Sequence, residues 1–389
     1  MRRSTLACAC LLMGGLHAGC DSPTDPDLRY RVPEQTSDGW QTASVESVGM
    51  DPSPLEDLLT LVARTPGHLL HALLVVKDGK LVFEEYWPGV DLDPATLDPV
   101  ARDFDRETLH YVASVSKSIT SALAGIALDE GLIGSVQDPV FSFFPEHVDV
   151  RSDTSAQVTL EHLLSFSSGW DWNEHVYGFD DPRDSHYQMF NAADPVRQLL
   201  SRPFVSAPGA AFFYNSGDAN LLGEVVRRAS SSETLVRFAE EHLFGPLGIQ
   251  RYEWVRFGPA GTMTFASGGA SLRPRDMARL GALYLNGGSW QGRQVVSRAW
   301  VDASTAMSVP LVGDYRTLYG YGYNWWLGRS PFRSGRVEYF RASGWGGQYI
   351  YVYPELDLVI VFTAGAYDED MPLSINDLIE EYVFAAITR

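Results

Sequence analysis

The chain has 389 residues, 45% apolar and 20% charged, which is enough to bury a sizeable core and excludes an intrinsically disordered chain. Thirty basic residues face 49 acidic ones, for a net charge of −19. The basic residues are scattered, so the Lys/Arg stripe that nucleic-acid binding needs is absent and no nucleic-acid partner is expected. The acidic balance suits a domain that repels its own copies, and it leaves both the substrate and the oligomeric state open.

Arg2 and Arg3 precede an apolar run over about residues 6–16, too short to span a bilayer comfortably. The run ends in His17-Ala18-Gly19-Cys20, which resembles a bacterial lipoprotein cleavage site, although that pattern prefers an aliphatic residue where His17 stands. The expectation is a signal peptide over 1–20 and a lipid on Cys20. The protein would then be exported and tied to a membrane by that anchor alone, facing the periplasm; secretion without an anchor is the alternative. Cys8, Cys10 and Cys20 are the only cysteines, so the body of the chain has no disulfide. Residues 21–41 are polar and rich in Pro and Asp and read as a flexible tether. Residues 42–389 are expected to form the folded domain.

Within it, residues 54–63 carry Leu55, Leu58, Leu59 and Val62 at helical spacing. Two strands are expected over 72–76 and 81–86, with the turn signal Asp78-Gly79 between them. Residues 114–130 read as a helix that Gly131 stops. Helical patterns and loops dominate from about 136 to 257. A helix over 274–285 then precedes strands over 323–327, 337–340, 348–353 and 358–363, and a helix over 373–386 closes the chain. Sheet-forming segments at both ends with helices between imply an α+β fold. The ends must join in one antiparallel sheet flanked by helices, with the middle inserted as a mainly helical lobe.

Ser114-Val115-Ser116-Lys117 is the first chemically suggestive pattern. Positions i and i+3 share a helix face, so the Ser114 hydroxyl lies beside the Lys117 amine. A serine hydroxyl is a weak nucleophile until a base takes its proton, and a desolvated lysine can be that base. The chain holds only three lysines, Lys77, Lys80 and Lys117, which makes a lysine-containing motif less apt to arise by accident. A capped helix with a surface lysine is the plain alternative for this motif alone.

The segment 109–120, LHYVASVSKSIT, resembles the active-site helix of the serine β-lactamase and penicillin-binding protein superfamily, in particular the class C branch with its esterase and amide-hydrolase relatives. The resemblance continues in order through LLVVKDGKLVFEEY, VTLEHLLSFSSGW, PGAAFFYNSGDANLLG, SGGASLRPRDMARLGALYL, YGYGYNWWL and SGWGGQYIYVYPE, covering about residues 40–385. It implies a β-lactamase/transpeptidase-like fold and an acyl-enzyme on Ser114, with Lys117 and Tyr214 sharing proton transfer. It also implies an oxyanion hole of the Ser114 and Trp345 backbone N–H groups.

Two positions depart from the penicillin-recognising pattern. Ser216 stands where the second box carries Asn, and Ala342 stands before Ser343-Gly344 where the third strand carries a cationic residue. An alternative register puts Trp345-Gly346-Gly347 in that third box. Lost partners for a buried polar ligand cost on the order of 1–3 kcal/mol, which disfavours β-lactam turnover. The pattern is similar to 6-aminohexanoate-dimer hydrolase and esterase-active relatives, so the expected substrate is a small ester or linear amide. A D,D-peptidase or β-lactamase, and a non-catalytic lipid-tethered sensor or binding module, stay open. Trp170, Trp172, Trp325, Trp326 and Trp345 are candidates to line an apolar cleft. No Gly-x-Ser-x-Gly elbow or strand-linked phosphate loop is present, and His68 and His71 lack companion ligands, so no metal or other cofactor is expected.

Overall fold

The structure, a computed structural model, describes residues 28–174, 176–313, 317–367 and 369–388. The expected signal segment and Cys20 lie outside the described residues. Among those described, no helix is long and apolar enough to cross a membrane.

The first helix, α1 (Ser53–Ala63), turns its four apolar residues inward. The hairpin β1 (Leu70–Lys77) and β2 (Lys80–Tyr86) follows. All eight residues of β1 are buried, as expected of a strand covered on both faces. Helix α2 (Val115–Asp129) is buried on nearly every side, and Gly131 at φ 71° ends it, as its sequence predicts. Small residues permit that burial: a β-carbon on Gly125 would overlap the Trp300 ring. Its hydroxyls also find acceptors, with Ser118 Oγ 2.7 Å from the Asn324 carbonyl and Ser121 Oγ 2.7 Å from the Tyr323 carbonyl.

Short helices and turns fill the region from Val140 to Leu247, around the longer α3 (Ser216–Ala229). Helix α4 (Pro274–Leu285) then returns to the sheet. Six further strands join that hairpin in the main sheet: β3 (Val309–Pro310), β4 (Leu318–Tyr321), β5 (Trp326–Phe332), β6 (Gly335–Gly344), β7 (Gln348–Tyr353) and β8 (Leu358–Ala364). They form one eight-stranded sheet in the order β3-β4-β5-β6-β7-β8-β1-β2. Every pairing is antiparallel, and Leu74 of β1 stands opposite Val361 of β8. Segments from both halves of the chain thus pair side by side, β8 with β1, within one sheet.

Helices α2 and α4 cover one face, where Leu74, Val76, Ile119, Ala342 and Ile350 share a core. Helix α1 and the C-terminal helical segment cover the other, with Leu73, Val75, Tyr353 and Ile360. Each fully buried Val or Leu contributes about 1.5–3 kcal/mol, so these two cores carry most of the cohesion.

Two expectations need correction. The strand expected over 323–327 is a turn at its start, since Asn324 sits at φ 60° and β5 begins only at Trp326. The α2 serines and the Leu164 carbonyl, which accepts the Asn324 N–H at 2.9 Å, hold that turn in place. Residues 28–41, read as tether, lie packed on the domain. Trp40 is 2% exposed and its indole N–H donates to the Arg275 carbonyl at 3.2 Å. The Arg275 guanidinium in turn bonds Asp38 at 2.8 Å, Thr36 at 3.0 Å and the Glu34 carbonyl at 3.1 Å.

Candidate active site

The approach to Ser114 is set by backbone. Val112 N–H donates to the Ala270 carbonyl at 3.0 Å, and Ala113 takes a left-handed φ of 45°, unusual for a residue with a β-carbon. Ser116 Oγ donates to the Ala113 carbonyl at 2.7 Å and accepts the Ala270 N–H at 3.1 Å, fixing that kink. Ser114 follows at the N-cap position of α2, where the positive end of the helix favours developing negative charge.

Lys117, one turn on, is 2% exposed. Its Nζ lies 2.8 Å from Ser114 Oγ and 2.7 Å from the Ser267 carbonyl, and 5.0 Å from the centre of the Tyr214 ring. Burial lowers the Lys117 amine to about 8, with Glu174 partly opposing. The Ser114 hydroxyl acts on the Tyr214 phenol, weakly opposing the burial that raises it. Burial foremost, then the charge of Glu174, holds it well above the usual tyrosine range, so it rests as a proton donor. Its ring is wedged between Phe166 (edge-on, 5.1 Å) and Trp326 (stacked, 5.8 Å). Three groups separated by as many as 100 positions are therefore gathered around one amine.

The third-strand residues Ala342, Ser343 and Gly344 lie in the β6 ladder opposite Ile350, Tyr349 and Gln348. Trp345-Gly346-Gly347 forms the turn into β7, with Gly346 at φ 85° and Gly347 at φ 94°. A β-carbon on Gly344 would overlap the Val112 carbonyl oxygen, so the end of β6 presses on the segment that delivers Ser114. Ser343 Oγ is buried without a hydrogen-bond partner among the described residues. Ser216, 2% exposed, is the first residue of α3, and the preceding Asn215 serves as its cap by accepting the Asp218 N–H at 3.2 Å.

Of the five candidate tryptophans, Trp170 and Trp325 are core residues at 1% and 0% exposure. Trp326 backs Tyr214, and Trp345 is exposed with Phe179 5.7 Å away. Trp172 is buried and donates its indole N–H to Glu174 at 2.6 Å.

Sequence reasoning missed two groups here. Glu174, a nearly buried carboxylate 3.4 Å from His186 Nε2, acts electrostatically on both Lys117 and Tyr214. Asn220 on α3 holds Ser267 through its carbonyl (3.2 Å) and amide (3.0 Å), and so sets the acceptor that faces Lys117. Neither stands in a pattern that its neighbours would reveal.

A serine at a helix start, coupled to a buried amine and a buried phenol beside an antiparallel sheet, defines the arrangement of the serine penicillin-recognising hydrolases. A family profile described as Beta-lactamase matches residues 62–383, and the chain belongs to that family. It is 26% identical over 321 residues to the 6-aminohexanoate-dimer hydrolase of Paenarthrobacter ureafaciens, a match covering 77% of this chain and 73% of that protein. Among solved structures it is similar to a family VIII carboxylesterase, with TM-score 0.63, 16% identity, and 85% and 96% of the two chains covered. It is also similar to the octameric penicillin-binding protein homologue of Pyrococcus abyssi, with TM-score 0.63, 20% identity, and 85% and 76% covered. The chain is a β-lactamase-family hydrolase with a sequence relative named 6-aminohexanoate-dimer hydrolase, and it shares its fold with a carboxylesterase.

Proposed function

We propose that this chain hydrolyses a small ester or linear amide through an acyl-enzyme on Ser114. The observation that carries the reading is the Lys117 Nζ to Ser114 Oγ distance of 2.8 Å, with the Tyr214 ring centred 5.0 Å from the same amine. In the neutral form Lys117 keeps an N–H on the Ser267 carbonyl and points its lone pair at Ser114. The serine proton moves to Nζ as Oγ attacks the substrate carbonyl carbon. The backbone N–H groups of Ser114 and Trp345 receive the oxyanion. Tyr214 passes a proton to the departing alcohol or amine and is reprotonated from Lys117. Water then attacks the acyl-enzyme by the reverse relay and releases the acid.

Ala342 supports an ester or amide over a β-lactam, because a methyl group cannot pair with a ligand carboxylate. The relative named 6-aminohexanoate-dimer hydrolase and the carboxylesterase similarity point the same way. The test is a panel of short-chain p-nitrophenyl esters, linear amides, D-Ala-D-Ala peptides and nitrocefin, run on wild type and Ser114→Ala. Ester or amide turnover that Ser114→Ala abolishes is the expected result. Nitrocefin turnover matching the esters would favour a β-lactamase or D,D-peptidase, and no turnover together with no fluorophosphonate labelling would favour a binding module. The same proposal includes export and lipid attachment at Cys20. Labelling with radioactive palmitate that Cys20→Ser removes is the expected check.

A further inference from the structure

Asp91 lies outside the trio on Ser114, on a hairpin of Gly89–Leu92 and Pro99–Arg102, and is 1% exposed. We propose that Asp91 is a positioning residue that locks together the two backbone segments carrying the oxyanion donors, the approach to Ser114 and the turn at Trp345; this rests on the acyl-enzyme reading above.

The first link runs to the nucleophile. Asp91 Oδ2 accepts the Tyr111 N–H at 3.1 Å, three residues before Ser114. His110, fully buried, lies beside the same carboxylate, its Nδ1 3.7 Å away. That nitrogen is also 2.9 Å from the Tyr111 carbonyl, which can only accept, so Nδ1 carries the proton. A neutral His110 then accepts at Nε2 from His71 Nδ1, 2.7 Å away. Burial lowers both imidazoles, His71 to about 2, so the pair is neutral and fixes the back of the strand.

The second link runs to the third strand. Asp91 Oδ1 accepts the Tyr367 hydroxyl at 2.6 Å. Tyr367 grips the turn that follows β6 in three ways. Its carbonyl accepts the Trp345 indole N–H at 2.7 Å, its ring meets the indole edge-on at 5.1 Å, and it occupies the space a β-carbon on Gly346 would need. The Ala366 N–H donates to the Gly346 carbonyl at 3.0 Å, and Gln348 Nε2 reaches the Trp345 carbonyl at 3.3 Å and the Tyr367 hydroxyl at 3.5 Å.

Besides an ion pair with Arg102 Nε at 3.9 Å, Asp91 has two hydrogen-bond partners, both donors, and a carboxylate can accept from each with a separate oxygen. An asparagine has one acceptor and can serve only one of them. An oxyanion hole depends on donor placement at the scale of an ångström, so a brace joining the two donor segments acts on the chemical step and not on substrate affinity.

The test measures single-turnover labelling by an alkyl fluorophosphonate at pH 8, for wild type, Asp91→Asn and Tyr367→Phe. The maximal labelling rate and the half-saturating probe concentration are read separately, with a thermal melt for each variant. In Asp91→Asn the maximal rate is expected to fall about ten- to a hundredfold, with half-saturation changed by about twofold or less. Tyr367→Phe is expected to move in the same direction, and the double variant to be no slower than Asp91→Asn, because both act along one path. Wild-type maximal rates in folded variants, even with lowered melting temperatures, would overturn the proposal and leave Asp91 a stabilising residue only. If Asp91→Asn does not fold, Tyr367→Phe alone decides by the same criterion. Failure of wild type to label at Ser114 would instead overturn the acyl-enzyme reading, and this proposal with it.

Discussion

Lys117 Nζ is held between an acceptor that cannot donate, the Ser267 carbonyl at 2.7 Å, and a hydroxyl that can, Ser114 Oγ at 2.8 Å. A neutral amine satisfies both by donating to the carbonyl and accepting from the hydroxyl, so the carbonyl aims the lone pair at the proton to be removed. Asn220, through Ser267, sets that aim.

The first expectation concerns pH. With the amine near 8, the fraction able to accept a proton is small at pH 6 and grows as pH rises through that value. For the hydrolysis of a p-nitrophenyl ester, kcat/KM should therefore rise about tenfold per pH unit below 8 and level off above it. A profile flat from pH 6 to 9 would remove Lys117 as the base.

The same burial has a stability cost. The folded-state value near 8 is below the ordinary lysine value of 10.5, so the unfolded chain binds the extra proton between the two. The penalty is fully present below pH 8, shrinks as pH rises from there and is gone above about 10.5. Lys117→Met should therefore be inactive yet more stable at pH 7, by roughly 1–3 kcal/mol, with the gain shrinking between pH 8 and 10.5. Urea unfolding of both proteins across that range reads the difference.

Gly344→Ala tests the contact between β6 and the Ser114 approach. The added methyl must displace the Val112 carbonyl oxygen or the end of the strand. Stability should fall by about 1–3 kcal/mol, and kcat by tenfold or more, with far-ultraviolet circular dichroism unchanged.

Arg275 is the hub of the N-terminal packing. It bonds both oxygens of the buried Glu84, at 2.7 and 2.5 Å, as well as Asp38. Arg275→Ala leaves Glu84 buried without its cation and should cost about 3–5 kcal/mol. Deleting residues 28–40 should also lower the urea midpoint, whereas a free tether would leave it unchanged.

What the sequence revealed follows the range of the interactions. Ser114 and Lys117 were legible because their meeting depends on one helical turn. The hairpin of β1 and β2 was legible because Asp78-Gly79 interrupts two apolar runs. Joining the two ends into one sheet followed from where strand-like segments lie. Tyr323-Asn324-Trp325 misled because aromatic residues favour strands, and the carbonyl contacts that make it a turn come from α2, some 200 positions away. Residues 28–41 misled for the same reason, since their polar composition is matched by an arginine at 275. Glu174 and Asp91 are single carboxylates with no local pattern, and their importance exists only in three dimensions.

The placement of β1 also bears on how the chain is made. Its outer neighbour β2 is at hand immediately, but the opposite edge stays open until β8 has been synthesised, because Leu74 waits for Val361. For most of translation the ribosome holds an eight-residue, mostly apolar ribbon with one unpaired side, a surface prone to self-association. Assembly of the central sheet is thus a late event, and overproduction without a chaperone able to shield that ribbon should favour insoluble material.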